Sequence, residues 1–370
     1  NSDSQAQLRR DRNRLSQLSR LSQSLLIQGQ GGAQQIYLVQ GPLIAVQTRF
    51  QGPLVGNDIF FLGRILAQGA TFEQGVTLSG ARSNQSVNFA GADFRQGLQA
   101  KGSIFFQPVR FDQGRFARGA TFQGAEFRAD ANFSRCQLAG DLNFSRVQWQ
   151  GTVDFARTLW QGTAFLLRNT FAQALFFTEA RFEAPLVLRQ ARFNQPVNLR
   201  NAMLGADADF GDALFQPRAY LNVAGLEFSL EQTQILGTPG KIGQVFSVPR
   251  LGGNETLLRN LERNFRQLEQ ISDANQIAYT TERLRLKDWE RRLFGANLNT
   301  ASAKALVQAG FTADQARAIV AYRQTQPFLT VDDMLNVDGI DLAAYVKVRD
   351  RLLARGSSSW PGRGLLALRW

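Results

Sequence analysis

From Phe72 to Leu226 a large apolar residue recurs at alternating steps of six and five, so the true repeat is eleven residues, held through fourteen units. The beat includes Phe122, Phe127, Phe133, Phe144, Trp149, Phe155, Trp160, Phe182 and Phe193, and only Ser83 and Ala100 fail to supply bulk on it. Two residues before each beat stands a smaller side chain. One set carries mostly Ala, as at Ala70, Ala92, Ala125 and Ala191; the other carries longer aliphatics, as at Val76, Leu98, Val153 and Val197. Residues two apart share one side of a β-strand, so each step reads as a short strand with both of these residues inward. Gln, Arg, Asn, Asp and Gly fill the remainder and suit exposed corners. Four steps close a square turn of twenty-two residues, and turns stack at the ~4.8 Å strand spacing. Phe then stacks on Phe and Ala on Ala, burying apolar surface that no single repeat could bury alone. The expected fold is mainly a β solenoid.

A typical stretch is Ala120-Thr121-Phe122-Gln123-Gly124-Ala125-Glu126-Phe127. It resembles the pentapeptide-repeat family in a Phe-rich variant with an eleven-residue unit. The resemblance implies a right-handed quadrilateral parallel β-helix and a structural or binding role without enzyme activity. Some relatives mimic DNA through an acidic surface, which the mildly basic count here argues against.

The segments read as a basic N-terminal helix or cap (1–35), the β-helix (36–228), an irregular cap and long helix (229–295), a small all-α domain (296–355) and a tail (356–370). In the first, Leu8, Leu15, Leu18, Leu21, Leu25 and Leu26 lie near one face among five Arg. It suits a cap on the open end of the solenoid, a basic amphipathic helix on an anionic membrane or a partner, or a disordered arm. The repeat fades after Phe228. A helix is expected over Glu255 to Phe294, with a break near Ser272-Asp273-Ala274-Asn275 and an apolar stripe (Leu257, Leu258, Leu261, Phe265, Leu268 and Ile271, then Leu284, Leu286, Trp289 and Leu293) packed on the solenoid end.

Net charge is +12, which invites a nucleic-acid or anionic-membrane reading. It is spread thinly, with residues 296–355 carrying seven basic against six acidic side chains, so no segment forms a basic patch by itself. One Cys and no His remove internal disulfides, the commonest general base and the commonest metal ligand. Neither a catalytic constellation, a metal site nor a cofactor is expected. Cys136, in a small-residue position two before Leu138, reads as a buried thiol. The chain begins at Asn1 and reads as a processed or trimmed product, with a removed signal peptide as the natural expectation. No run approaches the length of a membrane span, though the tail could begin one.

Residues 297–354 carry the second strong pattern. Ser302 opens a helix over Ala303–Gln308, Ala309-Gly310-Phe311-Thr312 forms a tight turn, and a second helix runs over Asp314–Arg323. Thr330 with Asp333 is close to a capping box, and Val337-Asp338-Gly339-Ile340-Asp341 turns into a last helix ending at Leu353. With Asn297-Leu298-Asn299-Thr300-Ala301 and Pro327-Phe328, this resembles a paired helix-hairpin-helix domain of competence-type DNA receptors. It is similar too to the extrinsic lumenal helix-hairpin-helix subunit of photosystem II. In DNA-binding members each hairpin reads Gly-hydrophobic-Gly, and backbone N–H groups there hold a phosphate. Here Gly310-Phe311-Thr312 and Gly339-Ile340-Asp341 both lose the second Gly, and Asp341 and Asp314 add negative charge.

These departures set the expectation. The chain is a non-enzymatic structural or adaptor protein that docks onto, or helps assemble, a larger membrane complex, in its sharper form photosynthetic. Its partners are protein subunits. The contact residues are Gly310, Phe311, Thr312, Gly339, Ile340, Asp341, Lys347 and Arg349. Association with a membrane through the N-terminal helix or the tail is compatible with it. The resemblance implies export to a thylakoid lumen or periplasm, with the cytoplasm as the alternative. The rival expectation is a competence-type DNA receptor that Lys347 and Arg349 serve.

Overall fold

The computed structural model describes residues 37–354 and the single residue Ser16. The N-terminal basic segment (1–35) and the tail (356–370) therefore lie outside the described residues. The chain divides into two compact units, Asn1–Tyr279 and Thr280–Trp370.

The first unit is a parallel β-solenoid with four sheets of nine, ten, nine and nine strands. Its four faces start at Tyr37–Val39, Leu43–Ile44, Arg49–Phe50 and Leu54–Val55. Each strand pairs in parallel with one a full turn on, as Tyr37 with Ile59, Leu43 with Ile65, Arg49 with Thr71 and Leu54 with Val76. The expected turn of twenty-two residues is therefore the observed one. Nine strands at the ~4.8 Å spacing give a stack of roughly 40 Å.

Most strands are two residues long because each face must end in a corner. Asn and Asp side chains make those corners. The amide oxygens of Asn132 and Asn143 accept the backbone N–H two residues on at 2.8 and 2.9 Å. Asp130 and Asp141 accept the N–H of Thr152 and Thr163, one turn along, at 2.8 and 2.7 Å. One corner column is held left-handed even where it lacks glycine: Gln113, Arg135, Arg157, Glu179 and Asn201 have φ between 53° and 61°. Arg157 donates to Glu179 across adjacent turns of that column at 2.8 Å.

Inside, the second face stacks Phe89, Phe111, Phe133, Phe155 and Phe177 with ring centroids 4.9–5.4 Å apart. The third stacks Phe50, Phe72, Phe94 and Phe116 at 4.9–5.1 Å. All the core residues expected on the beat, from Phe122 to Phe193, are buried.

Two expectations about the solenoid are corrected. The phase slips by two residues after Phe215: Val197 pairs with Leu221 and Leu204 with Phe228, so Leu221 takes the position of Val197 and Leu226 that of Ala202. A two-residue insertion preserves which side chains point inward, so Leu221, Val223 and Leu226 are all buried despite the slip. The solenoid also continues past Phe228. Ile235–Gly237 extends the fourth face and Phe246–Ser247 the second, with a helical turn at Ile242–Val245 between them.

The long helix is two, α1 (Glu255–Gln267) and α2 (Ile271–Phe294). They part at Leu268–Gln270, where Glu269 has φ 59°, and not at Ser272–Asn275. Asp273 there is a buried fastener: its two carboxylate oxygens accept Gly240 N–H at 2.6 Å and Gly243 N–H at 2.8 Å. The apolar side of α1 is buried through Leu257, Leu258, Leu261 and Phe265, whereas Leu286 and Trp289 of α2 are exposed. The stripe expected to run the whole length is already broken at Ile271, which is 51% exposed.

Trp160 and Trp149 have the same local frame and different partners. Trp160 Nε1 donates to Thr158 Oγ1 at 2.7 Å, and that hydroxyl donates to the Phe155 carbonyl at 2.7 Å. Val147 holds the equivalent place before Trp149, whose buried Nε1 has no partner among the described residues. The backbone matches, with Val147 N–H to Phe144 O at 3.3 Å and Thr158 N–H to Phe155 O at 3.4 Å. Thr158→Val should cost about 1–3 kcal/mol by orphaning a buried donor. Val147→Thr, normally unfavourable in a core, should be neutral or stabilise by up to about 1 kcal/mol, because the new hydroxyl finds the same two partners. Urea denaturation of both variants tests this; equal losses would refute it.

Candidate partner-binding site

In the second unit, α3 (Ala303–Ala309), α4 (Ala313–Thr325), a 3-10 turn (Asp332–Asn336) and α5 (Leu342–Val348) enclose a core of Leu298, Leu306, Phe311, Ile319, Phe328, Met334, Ile340 and Val348. The helix expected to reach Leu353 stops at Val348. A 3-10 turn follows, and Leu352–Leu353 pairs in parallel with Ala296–Asn297, tying the unit's two ends together. Asn299 clamps the middle, donating to Phe328 O at 2.8 Å and accepting Phe328 N–H at 2.8 Å.

The first hairpin turns at Gly310, whose φ of 118° suits only glycine. Thr312 then caps α4. Its Oγ1 accepts Gln315 N–H at 3.2 Å, and Gln315 Oε1 accepts Thr312 N–H at 3.1 Å. The second hairpin turns at Gly339 (φ 82°), and Asp341 Oδ1 accepts Ala344 N–H at 2.7 Å to cap α5. Gln315 Nε2 also donates to Gly339 O at 3.1 Å, so the structure brings the two hairpins together.

Of the expected contact residues, Thr312, Gly339, Asp341, Lys347 and Arg349 are exposed and Gly310 is partly so. Phe311 and Ile340 are buried; they anchor the hairpins from within. Arg349 lies over the Tyr345 ring at 5.8 Å. Tyr345 donates to Asp332, and burial first, then that carboxylate, pushes its phenol pKa up. Thr330 is not the expected N-cap: Val331 precedes the 3-10 turn without a side-chain cap bond, and the Thr330 hydroxyl donates where a capping box needs it to accept. Only the return half of the box forms: Asp333 accepts Thr330 N–H at 2.8 Å and its hydroxyl at 2.9 Å, and these bonds pull its carboxyl pKa down.

Two residues make bonds that the reading of the sequence did not foresee. Gln315 completes the Thr-x-x-Gln capping box, a spacing visible in the chain. Arg323 donates to Leu298 O at 2.9 Å and Ala301 O at 2.7 Å, bonds that no local pattern announces.

Elsewhere, Cys136 is buried, donates to Phe111 O at 3.1 Å, and has its thiol pushed up to about 12 by burial. That makes it a poor nucleophile. Among the described residues no group of three His, Cys, Asp or Glu side chains is placed to hold a metal ion, and no helix is long and apolar enough to cross a membrane.

The fold and site define a parallel β-solenoid joined in one chain to a small helical unit with two hairpins. A helix-hairpin-helix motif family matches residues 294–353, which points to a nucleic-acid- or protein-binding role. No curated protein and no solved structure matches the chain.

Proposed function

We propose that this protein is a non-enzymatic adaptor. Its solenoid serves as a stiff spacer, and its helix-hairpin-helix unit docks on protein. One observation carries the choice of protein over nucleic acid. Three of the backbone donors at the hairpins and helix starts, where a phosphate would be received, are bonded to the chain's own side chains: Thr312 N–H to Gln315, Gln315 N–H to Thr312, and Ala344 N–H to Asp341. Asp341 and the exposed Asp314, itself paired with Arg317, add negative charge where an anion would have to sit. Phosphate contacts supply most non-specific nucleic-acid affinity, so this surface lacks the main term.

The resemblance of the repeats to the pentapeptide-repeat family supports an architectural role. The resemblance of the hairpins to the extrinsic lumenal subunit of photosystem II supports the finer form of the proposal. In that form the chain is an exported accessory or assembly subunit of a membrane complex, working in a lumen or periplasm.

The test has two arms. The full chain, titrated into labelled duplex DNA at about 50 and about 200 mM salt, should show no saturable, salt-sensitive binding. Used as bait in an extract of its native organism, it should retain membrane-complex subunits after nuclease treatment. DNA binding that falls steeply with salt and weakens in Lys347→Ala and Arg349→Ala would replace the proposal with a DNA receptor.

A further inference from the structure

Basic side chains that are spread thinly along the sequence are gathered in space by the turn of the solenoid. At the corner between the fourth and first faces, Arg146 N–H donates to Leu167 O at 2.8 Å and Arg168 N–H to Arg189 O at 2.9 Å. Arg146, Arg168 and Arg189 therefore stand on three successive turns, stacked at the ~4.8 Å strand spacing. Arg192 joins them from the outer column of the first face, where Gln148 pairs with Thr170 and Thr170 with Arg192. All four arginines are exposed.

Two observations set this corner apart. The first is that its charge is unmatched. Arg189 reaches Asp209 at 3.6 Å and Asp212 at 3.7 Å, and Arg168 donates to the neutral Gln190 at 2.7 Å. Among the described residues no carboxylate pairs with Arg146, Arg168 or Arg192. The corner between the second and third faces is built alike, with Arg135 and Arg157 on adjacent turns. There, however, Arg157 donates to Glu179 at 2.8 Å, and Asp112 and Asp154 line the same surface. The second observation is the backbone. Arg146 and Arg168 have φ of 61° and 55° at the position that Gly80, Gly102 and Gly124 hold on earlier turns. Left-handed backbone favours glycine, and like charges one turn apart repel. The earlier turns show that the corner closes without either side chain. What the two arginines add is a pair of free guanidiniums at a fixed spacing.

Beside this charge lies apolar surface. The outer column of the fourth face runs from Asn143 to Phe165 to Val187, and Leu167 stands between Phe165 and Arg168 in the chain; Phe165, Leu167 and Val187 are all partly exposed. We propose that this corner of the solenoid docks an acidic amphipathic helix of a partner protein, laid along the solenoid axis. Charge complementarity sets the acid. Spacing sets the helix: side chains three or four apart on a helix lie about 5–6 Å apart, so one row of Glu or Asp can meet guanidiniums on successive turns. Phe165, Leu167 and Val187 receive the adjoining apolar side. A nucleic-acid backbone would match the charge and leave the apolar side chains unused. The inference rests on the adaptor reading in one respect, that the partner is protein, and it adds a second contact to the one at the hairpins.

Fluorescence anisotropy of the full chain with a labelled helical peptide, carrying Glu at i and i+4 with Leu alongside, tests this. The peptide should bind saturably, and a counterpart with Gln in place of Glu should not. Arg146→Gly with Arg168→Gly should weaken binding about tenfold, the loss of two exposed ion pairs. The melting temperature should stay level or rise, because glycine relieves the left-handed corner. Arg135→Gly with Arg157→Gly, at the acid-matched corner, should leave binding within about twofold, and Leu167→Gln should weaken it several-fold. Equal losses from the two double variants, or equal binding of the Gln peptide, would overturn the proposal. So would duplex DNA or phosphatidylserine-containing vesicles binding more tightly than the peptide through Arg146 and Arg168. Lys347→Ala and Arg349→Ala in the hairpin unit should not change peptide binding, so a failure here leaves docking by the hairpins to its own test; a loss in those variants would place the peptide on the hairpins and overturn the proposal too.

Discussion

Phe133→Ala should cost about 3–5 kcal/mol of stability, the range for truncating a fully buried Phe. Phe133 lies in the middle of the second face and is completely buried. It stacks on Phe111 at 4.9 Å and Phe155 at 5.1 Å along the column, and meets Phe122, Phe127, Phe144 and Trp149 edge-on across the interior. Six rings lose a neighbour at once. The two-residue strands of the turns above and below leave little freedom to collapse into the hole. In a solenoid each turn contacts only its neighbours, so stability is close to a sum of turn and interface terms. A cavity at mid-stack weakens two interfaces together. Phe215→Ala is the comparison: that ring is only partly buried and, among the described residues, stacks on Phe193 alone, at 4.9 Å. It should cost about 1–2 kcal/mol, nearer the ordinary loss for a point substitution. Urea denaturation of the two variants measures the difference. Equal losses would mean that ring stacking along the column does not hold the solenoid together.

The solenoid was legible because its signal is redundant. Phe on the beat, a smaller residue two before it and polar corners all repeat, and each unit confirms the last. The slip after Phe215 was hidden by the same chemistry. With side chains alternating in twos, Leu221 reads equally well as a beat residue or as the residue before one. Ile235–Gly237 and Phe246–Ser247 went unseen because their turns carry insertions: Ala208 pairs with Ile235 and Leu221 with Phe246, longer steps than the repeat allows. In the hairpin unit the helices and turns were readable from Ser302, Gly310, Thr312 and Gly339. The pairing of Leu352–Leu353 with Ala296–Asn297 was not, because it joins segments distant in sequence.

The second large effect belongs to Asn264, which reads in the sequence as one polar residue on a helix. The last strand of the fourth face, Ile235–Gly237, has no further turn of solenoid to pair with. Asn264 of α1 replaces it: Oδ1 accepts Ile235 N–H at 3.0 Å and Nδ2 donates to Ile235 O at 2.9 Å. Asn254 does the same for the N–H of Gly225 at 2.8 Å. Asn264→Leu keeps the bulk and the helix but leaves a buried donor and a buried acceptor unmade. At about 1–3 kcal/mol for each orphaned group, the loss should be about 2–5 kcal/mol. Arg263→Leu, on the exposed side of the same helix, should stay within about 0.5 kcal/mol of the parent. Hydrogen exchange separates this account from a general weakening. In Asn264→Leu the amide of Ile235 should lose protection before those of the central turns, because the edge it closes is opened first. A variant that unfolds earlier with Ile235 still protected as well as Val153 would show that α1 holds the solenoid end by its apolar side alone, through Leu257, Leu258, Leu261 and Phe265.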